Sequence, residues 1–149
     1  MSYTKLLYHI VFRTKGSRNT INEIHEKELY AYILGYVRNN KSILYRIGGM
    51  PDHIHLLVDI HPTISVTEFV RKLKESASKW LRSQSNFPDF DGWGESFAAF
   101  SYSHKDVDII INYIKNQKTH HQKVCFADEY RQFLIENGIA PDDRYFLKE

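Results

Sequence analysis

His53 and His55 stand one residue apart in Gly49-Met50-Pro51-Asp52-His53-Ile54-His55-Leu56-Leu57-Val58-Asp59-Ile60. From Ile54 to Ile60 this run has the apolar, β-branched make-up of a strand, and Pro51 can only start or edge one. Successive strand side chains point to opposite faces, so Ile54, Leu56, Val58 and Ile60 line one face and His53, His55, Leu57 and Asp59 the other. Two imidazoles side by side on a rigid surface suit a divalent ion, although such a pair taken alone is more often a rim feature bonded to water or backbone. Further along, Val107, Ile110, Ile111 and Ile114 recur at helical spacing. At about 100° per residue, Tyr113 lies at the edge of that stripe, Gln117 one turn beyond, and His120 and His121 a turn later. A phenol, an amide and an imidazole pair thus project from one surface.

The elements that position these groups are legible in outline. Leu6 to Phe12 reads as a first strand, with Lys5, Arg13, Lys15 and Arg18 at its ends and in the following loop, a phosphate-contact candidate where the bland reading is a solvated loop. Thr20-Ile21-Asn22-Glu23 is a capping-box pattern before a helix carrying Leu29, Tyr32, Ile33, Tyr36 and Val37. Ile43 to Ile47 is a second strand, and Gly48-Gly49 turns the chain into the histidine strand, which gives an antiparallel hairpin. A second capping box, Ser65-Val66-Thr67-Glu68, opens a helix whose apolar stripe is Val66, Phe69, Val70, Leu73, Ala77, Trp80 and Leu81. Its outer side carries Arg71, Lys72, Lys74, Lys79 and Arg82 against Glu75, a pattern more often just a solvated face. Gln84 to Gly94 reads as a surface loop or hinge, Phe97 to Tyr102 as a fourth strand, and Ser103 with Asp106 as the start of the third helix. This order predicts an α+β fold of ferredoxin-like or RRM-like βαββαβ type. An antiparallel sheet carries helices on one face, plus a C-terminal helix bearing Tyr113.

At 149 residues, with 42% hydrophobic and 26% charged residues, the chain suits a single globular domain. A formal net charge of only +2 means that nucleic acid must be met by a local basic patch. One cysteine, Cys125, allows no internal disulfide and no Cys-x-x-Cys metal or redox site. No signal peptide and no membrane span is legible, so the expected location is the cytoplasm.

Pro51-Asp52-His53-Ile54-His55-Leu56-Leu57-Val58, the basic amphipathic helix from Val66 to Leu81, and Tyr113-Ile114-Lys115-Asn116-Gln117 together resemble the small single-tyrosine HUH transposases. These are the TnpA-like enzymes of insertion sequences of the 200/605 type, which move as single-stranded DNA. The resemblance covers a core of about residues 5–124 of one domain spanning 1–149. The segment 125–149 is an extension in which no chemistry is legible.

The resemblance implies that His53 and His55 are the two histidines of the HUH motif, Tyr113 the nucleophile and Gln117 the third metal ligand. It implies a 5′-phosphotyrosine intermediate, Mg²⁺ or Mn²⁺ as the working ion with Zn²⁺ able to occupy the site, and no nucleotide cofactor. Asn116, His120 and His121 are similar to polar residues common after the tyrosine and have no fixed role. The implied partner is single-stranded DNA carrying a hairpin. Lys5, Arg13, Lys15, Lys74, Lys79 and Arg82 are candidates for its phosphates. The resemblance also implies a homodimer in a prokaryotic nucleoid, with His53 and His55 of one chain serving Tyr113 of the other. Three other readings stand beside it: a domesticated hairpin-specific nickase, a non-catalytic RRM-like binding module using Phe97, Phe100 and Tyr102, and a metal-dependent hydrolase in which water attacks. His9, His25 and His61 have no partner at useful spacing and are read as structural, as are Tyr3, Tyr8, Tyr30, Tyr32, Tyr36, Tyr45 and Tyr102.

Overall fold

The computed structural model describes residues 2–142 and 146–147. Four strands form one antiparallel sheet: β1 (Leu7–Arg13), β2 (Ile43–Met50), β3 (His53–Asp59) and β4 (Ala98–Tyr102), in the order β2-β3-β1-β4. The two central strands, β1 and β3, are buried almost throughout because both of their faces are covered. The expected α+β architecture is what the chain adopts.

Period-two alternation sends each central strand's side chains to two different cores. Ile10, Phe12, Ile54, Leu56 and Val58 pack against α1 (Glu26–Asn39) through Leu29, Ile33 and Val37, and against α2 (Val66–Ser83) through Phe69, Val70, Leu73, Ala77 and Leu81. On the opposite face Leu7 and Leu57 meet Val107, Ile110 and Ile114 of α3 (Val107–Lys115). Val11, Ala98 and Phe100 meet Phe126 of α5 (Phe126–Glu136). The α1 and α2 helices therefore cover one face, as expected, while the tyrosine helix and the extension cover the other. None of these helices is long and apolar enough to cross a membrane.

Several local expectations change in the structure. Gly48 and Gly49 do not turn the chain: β2 runs on to Met50, and Pro51-Asp52 forms the two-residue turn, with Met50 opposite His53. The Thr20 box does not cap α1, which starts at Glu26. Instead the Thr20 and Ile21 N–H groups both donate to Pro51 O (3.1 and 3.0 Å), and Ile21 is buried, so tertiary bonds outcompete the local cap. The Ser65 box holds at its first half, Ser65 Oγ accepting the Glu68 N–H at 3.1 Å. The loop read as a hinge is anchored by buried Phe87 and Phe90 and by the Gly92 and Gly94 backbone on Lys15 and Arg13.

Gly48 has a different use. A Cβ there would lie 2.8 Å from the Ile114 carbonyl oxygen of α3, closer than a side chain can come to rigid backbone. Gly48→Ala is expected to push α3 off the sheet and lower stability by about 1–3 kcal/mol. Thermal denaturation checks this, and an unchanged midpoint would show that α3 tolerates the shift.

Candidate active site

β3 places both histidines on the face away from α1 and α2, and each is fully buried. The turn residue Asp52 fixes His53, its Oδ1 lying 2.6 Å from Nδ1. That leaves His53 Nε2 to face Gln117 Oε1 at 3.0 Å. His55 is held from the other side, its Nδ1 lying 2.8 Å from His9 Nε2. In the antiparallel register Val11 stands opposite His55, so His9 is its diagonal neighbour on the same face.

Tyr113 comes from the flank of the α3 stripe. The expected single helix breaks at Asn116 (φ −96°, ψ 18°) and resumes as α4 (Gln117–His120). Lys118 pins α4 in place, its ammonium donating to Gly49 O at 2.7 Å and pairing with Glu26 at 2.9 Å. The break turns Gln117 inward until it is 1% exposed. Asn116 itself is exposed, His120 is partly exposed, and His121 turns in against the His53 ring at 4.6 Å.

The centre of the site is a residue that sequence reasoning missed. Glu129 of α5, in the extension where no chemistry was legible, is buried between the strand histidines and the tyrosine. Its Oε1 lies 3.1 Å from His55 Nε2, 3.1 Å from His121 Nε2 and 3.4 Å from His53 Nε2. Its Oε2 accepts from the Tyr113 hydroxyl and, at 2.9 Å, from Gln117 Nε2. A signal was present: Phe126, Tyr130 and Phe133 recur at helical spacing, and Glu129 interrupts that apolar face. His9 was also missed, because its partner lies 46 positions away.

The electrostatics follow from burial opposed by hydrogen bonding. Burial works against charge on His53, yet its bonds to Asp52 and Glu129 prevail and raise its pKa to about 9. Burial lowers His55 to about 4, with Glu129 offsetting only part of it. For Glu129 burial favours the neutral acid, but bonds from His121, His53 and His55 carry it below the usual carboxylate range. Burial and the adjacent Glu129 raise the Tyr113 phenol above its ordinary value. One donor atom each from His53, His55, His121 and Glu129 lies within 4.8 Å of the others, a grouping able to hold a metal ion. A divalent ion there must displace the proton that His53 holds below about pH 9. Affinity is therefore expected to rise by roughly tenfold per pH unit from 7 towards 9, with about one proton released per ion. Calorimetry in two buffers of different ionisation enthalpy checks it, and zero protons released would contradict the assignment.

Three of the six basic candidates, Lys15, Lys74 and Arg82, share one surface, and Lys5, Arg13 and Lys79 lie outside it. Lys5 sits beside Tyr45 (2.9 Å) and Asp59 (3.9 Å), six strand residues, or roughly 20 Å, from His53. Arg13 is 4% exposed, with a guanidinium bond to Ser17 Oγ at 2.9 Å, so it builds the loop instead of facing solvent. Lys15, Lys74 and Arg82 line a cleft of about 840 Å³ together with Trp93 and Phe97. Lys74 there donates to Gly94 O and Ser96 O at 2.9 Å each. Lys79 is exposed on α2 outside the cleft lining.

Residues 2–117 match the family model described as "Transposase IS200 like". The chain belongs to the IS200-like transposase family. The match ends at Gln117, so in this transposase the α5 carboxylate lies beyond the matched segment. No curated protein matches it in sequence. Among solved structures, a protein of Deinococcus radiodurans R1 named as a transposase is similar at 24% identity and a TM-score of 0.60, over 78% of this chain and 93% of that one. A REP-associated tyrosine transposase bound to a REP hairpin is similar at 16% identity and a TM-score of 0.61, over 95% and 86%. At these identities the two share the transposase's fold.

Proposed function

We propose that this protein cuts and rejoins single-stranded DNA at hairpin-marked element ends through a 5′-phosphotyrosine on Tyr113. The observation that carries the reading is that the Tyr113 hydroxyl and both strand histidines meet on one buried carboxylate, Glu129. Family membership supports DNA strand transfer. The relative described with a REP hairpin supports hairpin DNA as the substrate class.

The donor set fits a divalent cation: three imidazoles and a carboxylate, each at most 5% exposed, with Gln117 Oε1 directed into the same space. Three nitrogens favour Mn²⁺ over Mg²⁺, which prefers all-oxygen sites. Such an ion, when bound, polarises the scissile phosphate and favours phenolate over phenol. Glu129 Oε2, held in turn by Gln117, orients the Tyr113 hydroxyl. Tyr113 Oη attacks phosphorus, the bond from phosphorus to the 3′-oxygen breaks, and overall the phenolic proton passes to that oxygen. A second 3′-hydroxyl then displaces the tyrosine and rejoins the strand. Each phosphodiester is exchanged for a phosphotyrosine and back, so no ATP is consumed.

Tyr113 and His55 of the same chain lie with ring centroids 5.8 Å apart, which supports a site complete within one subunit. The cleft of Lys15, Lys74 and Arg82 offers cations for backbone phosphates. The test mixes the protein with labelled single-stranded and duplex oligonucleotides from the gene's flanks, with Mg²⁺ or Mn²⁺, on a denaturing gel. A protein–DNA adduct with single strands alone, lost in His55→Ala, supports strand transfer. Cleavage without adduct points to a hydrolase, and binding without cleavage to a non-catalytic module.

A further inference from the structure

We propose that His9 is a positioning residue for His55, fixing through a neutral imidazole–imidazole hydrogen bond which nitrogen His55 presents to the cation. This rests on the reading of His55 as a metal ligand and adds an outer-sphere partner to it. His9 is fully buried in β1, and among the described residues its one hydrogen bond joins Nε2 to His55 Nδ1, 2.8 Å apart. The two rings stack at 26° with centroids 5.0 Å apart. Phe133 packs edge-on against His9 at 5.1 Å, and Phe100, Tyr102 and Tyr113 close the remaining sides within 6.4 Å. His9 Nδ1 is buried with no hydrogen-bond partner among the described residues. A polar side chain kept in an aromatic box at the cost of an unpartnered nitrogen needs an explanation, and packing alone would be better served by an apolar residue.

The bond to His55 supplies that explanation. His55 Nε2 lies 3.1 Å from Glu129 Oε1, within the group of donor atoms that His53, His121 and Glu129 complete, so it is the nitrogen available to an ion. A neutral imidazole that gives Nε2 to a metal carries its proton on Nδ1, and that proton needs an acceptor. His9 Nε2 is the acceptor within reach. The two strand ligands thereby receive unlike support: His53 leans on the Asp52 carboxylate, His55 on a neutral ring. Charge is the physical reason for the difference, since the Asp52 side chain, 23% exposed at the turn, keeps water on its anion and the aromatic box around His9 would not.

The test measures Mn²⁺ binding by electron paramagnetic resonance and calorimetry in the wild type, His9→Leu and His9→Gln. Leu removes the acceptor while filling the box, and Gln restores one. His9→Leu is expected to bind Mn²⁺ about 10–100-fold more weakly, with His9→Gln recovering most of the loss. Nitrogen-15 spectra of the Zn²⁺-loaded wild type add a signature that packing does not produce: a protonated His55 Nδ1 facing a bare His9 Nε2. Equal Mn²⁺ affinity in His9→Leu and wild type, or a proton on His9 Nε2 in the loaded protein, overturns the proposal. A wild type that binds no Mn²⁺ overturns the metal reading beneath it as well.

Discussion

Tyr113→Phe is expected to abolish the covalent protein–DNA adduct, lowering its formation by at least about 10³-fold, while the protein still folds and binds Mn²⁺. The phenol is the group whose hydroxyl reaches the buried carboxylate that the strand histidines share. Its ring packs against Phe133 at 5.3 Å and His55 at 5.8 Å, contacts that phenylalanine retains. Glu129 Oε2 keeps its bond from Gln117 Nε2 at 2.9 Å, so losing one donor costs about 1 kcal/mol of stability and not a collapse of the site. A denaturing gel, a thermal melt and a Mn²⁺ titration on the same preparation separate these effects. An adduct that persists in the variant would mean that a different side chain attacks.

The second large effect concerns Glu129. Glu129→Ala is expected to destabilise the metal-free protein by about 3–5 kcal/mol, since it strips the counter-charge from a buried group of imidazoles. His53, raised to about 9 by Asp52 and Glu129 together, then loses one of the two partners that hold its charge. Glu129→Gln preserves shape but offers an ion no negative charge. Both variants are expected to lose more Mn²⁺ affinity than the roughly 100-fold that removal of an outer-sphere partner costs. Chemical denaturation in the presence of a chelator reads the first effect, and calorimetry the second. A Gln variant with wild-type affinity would remove Glu129 from the ligand set and return the third position to Gln117, where the family resemblance put it.

The chain's local patterns carried much of this. Alternation in Ile54–Ile60 put His53 and His55 on one face, and the structure buries the opposite positions, Ile54, Leu56 and Val58, in the α1–α2 core. Helical spacing put Tyr113 and Gln117 on one side of a single helix; both do touch Glu129, but Gln117 reaches it from α4, beyond the break at Asn116. The Ser65 cap held because its partner, the Glu68 N–H, is only three residues away. The Thr20 cap failed because Pro51, distant in sequence, offers its carbonyl to the same backbone.

By itself, then, the sequence determined the element order as far as the tyrosine helix and the faces of strands and helices, while the pairing of the histidine strand with that helix came from the family resemblance. The order and the faces rest on periodicity, which is a property of neighbouring residues. Tertiary structure alone decided the rest. Strand order β2-β3-β1-β4 laid β1 beside β3 and so brought His9 to His55. The break at Asn116, with Lys118 tied to Gly49 and Glu26, aimed Gln117 and His121 inward. The α5 helix, folding back over β4, delivered Glu129 to the centre. None of these has a local signature that names its partner, because a buried charge is made tolerable by groups that only the folded chain brings together.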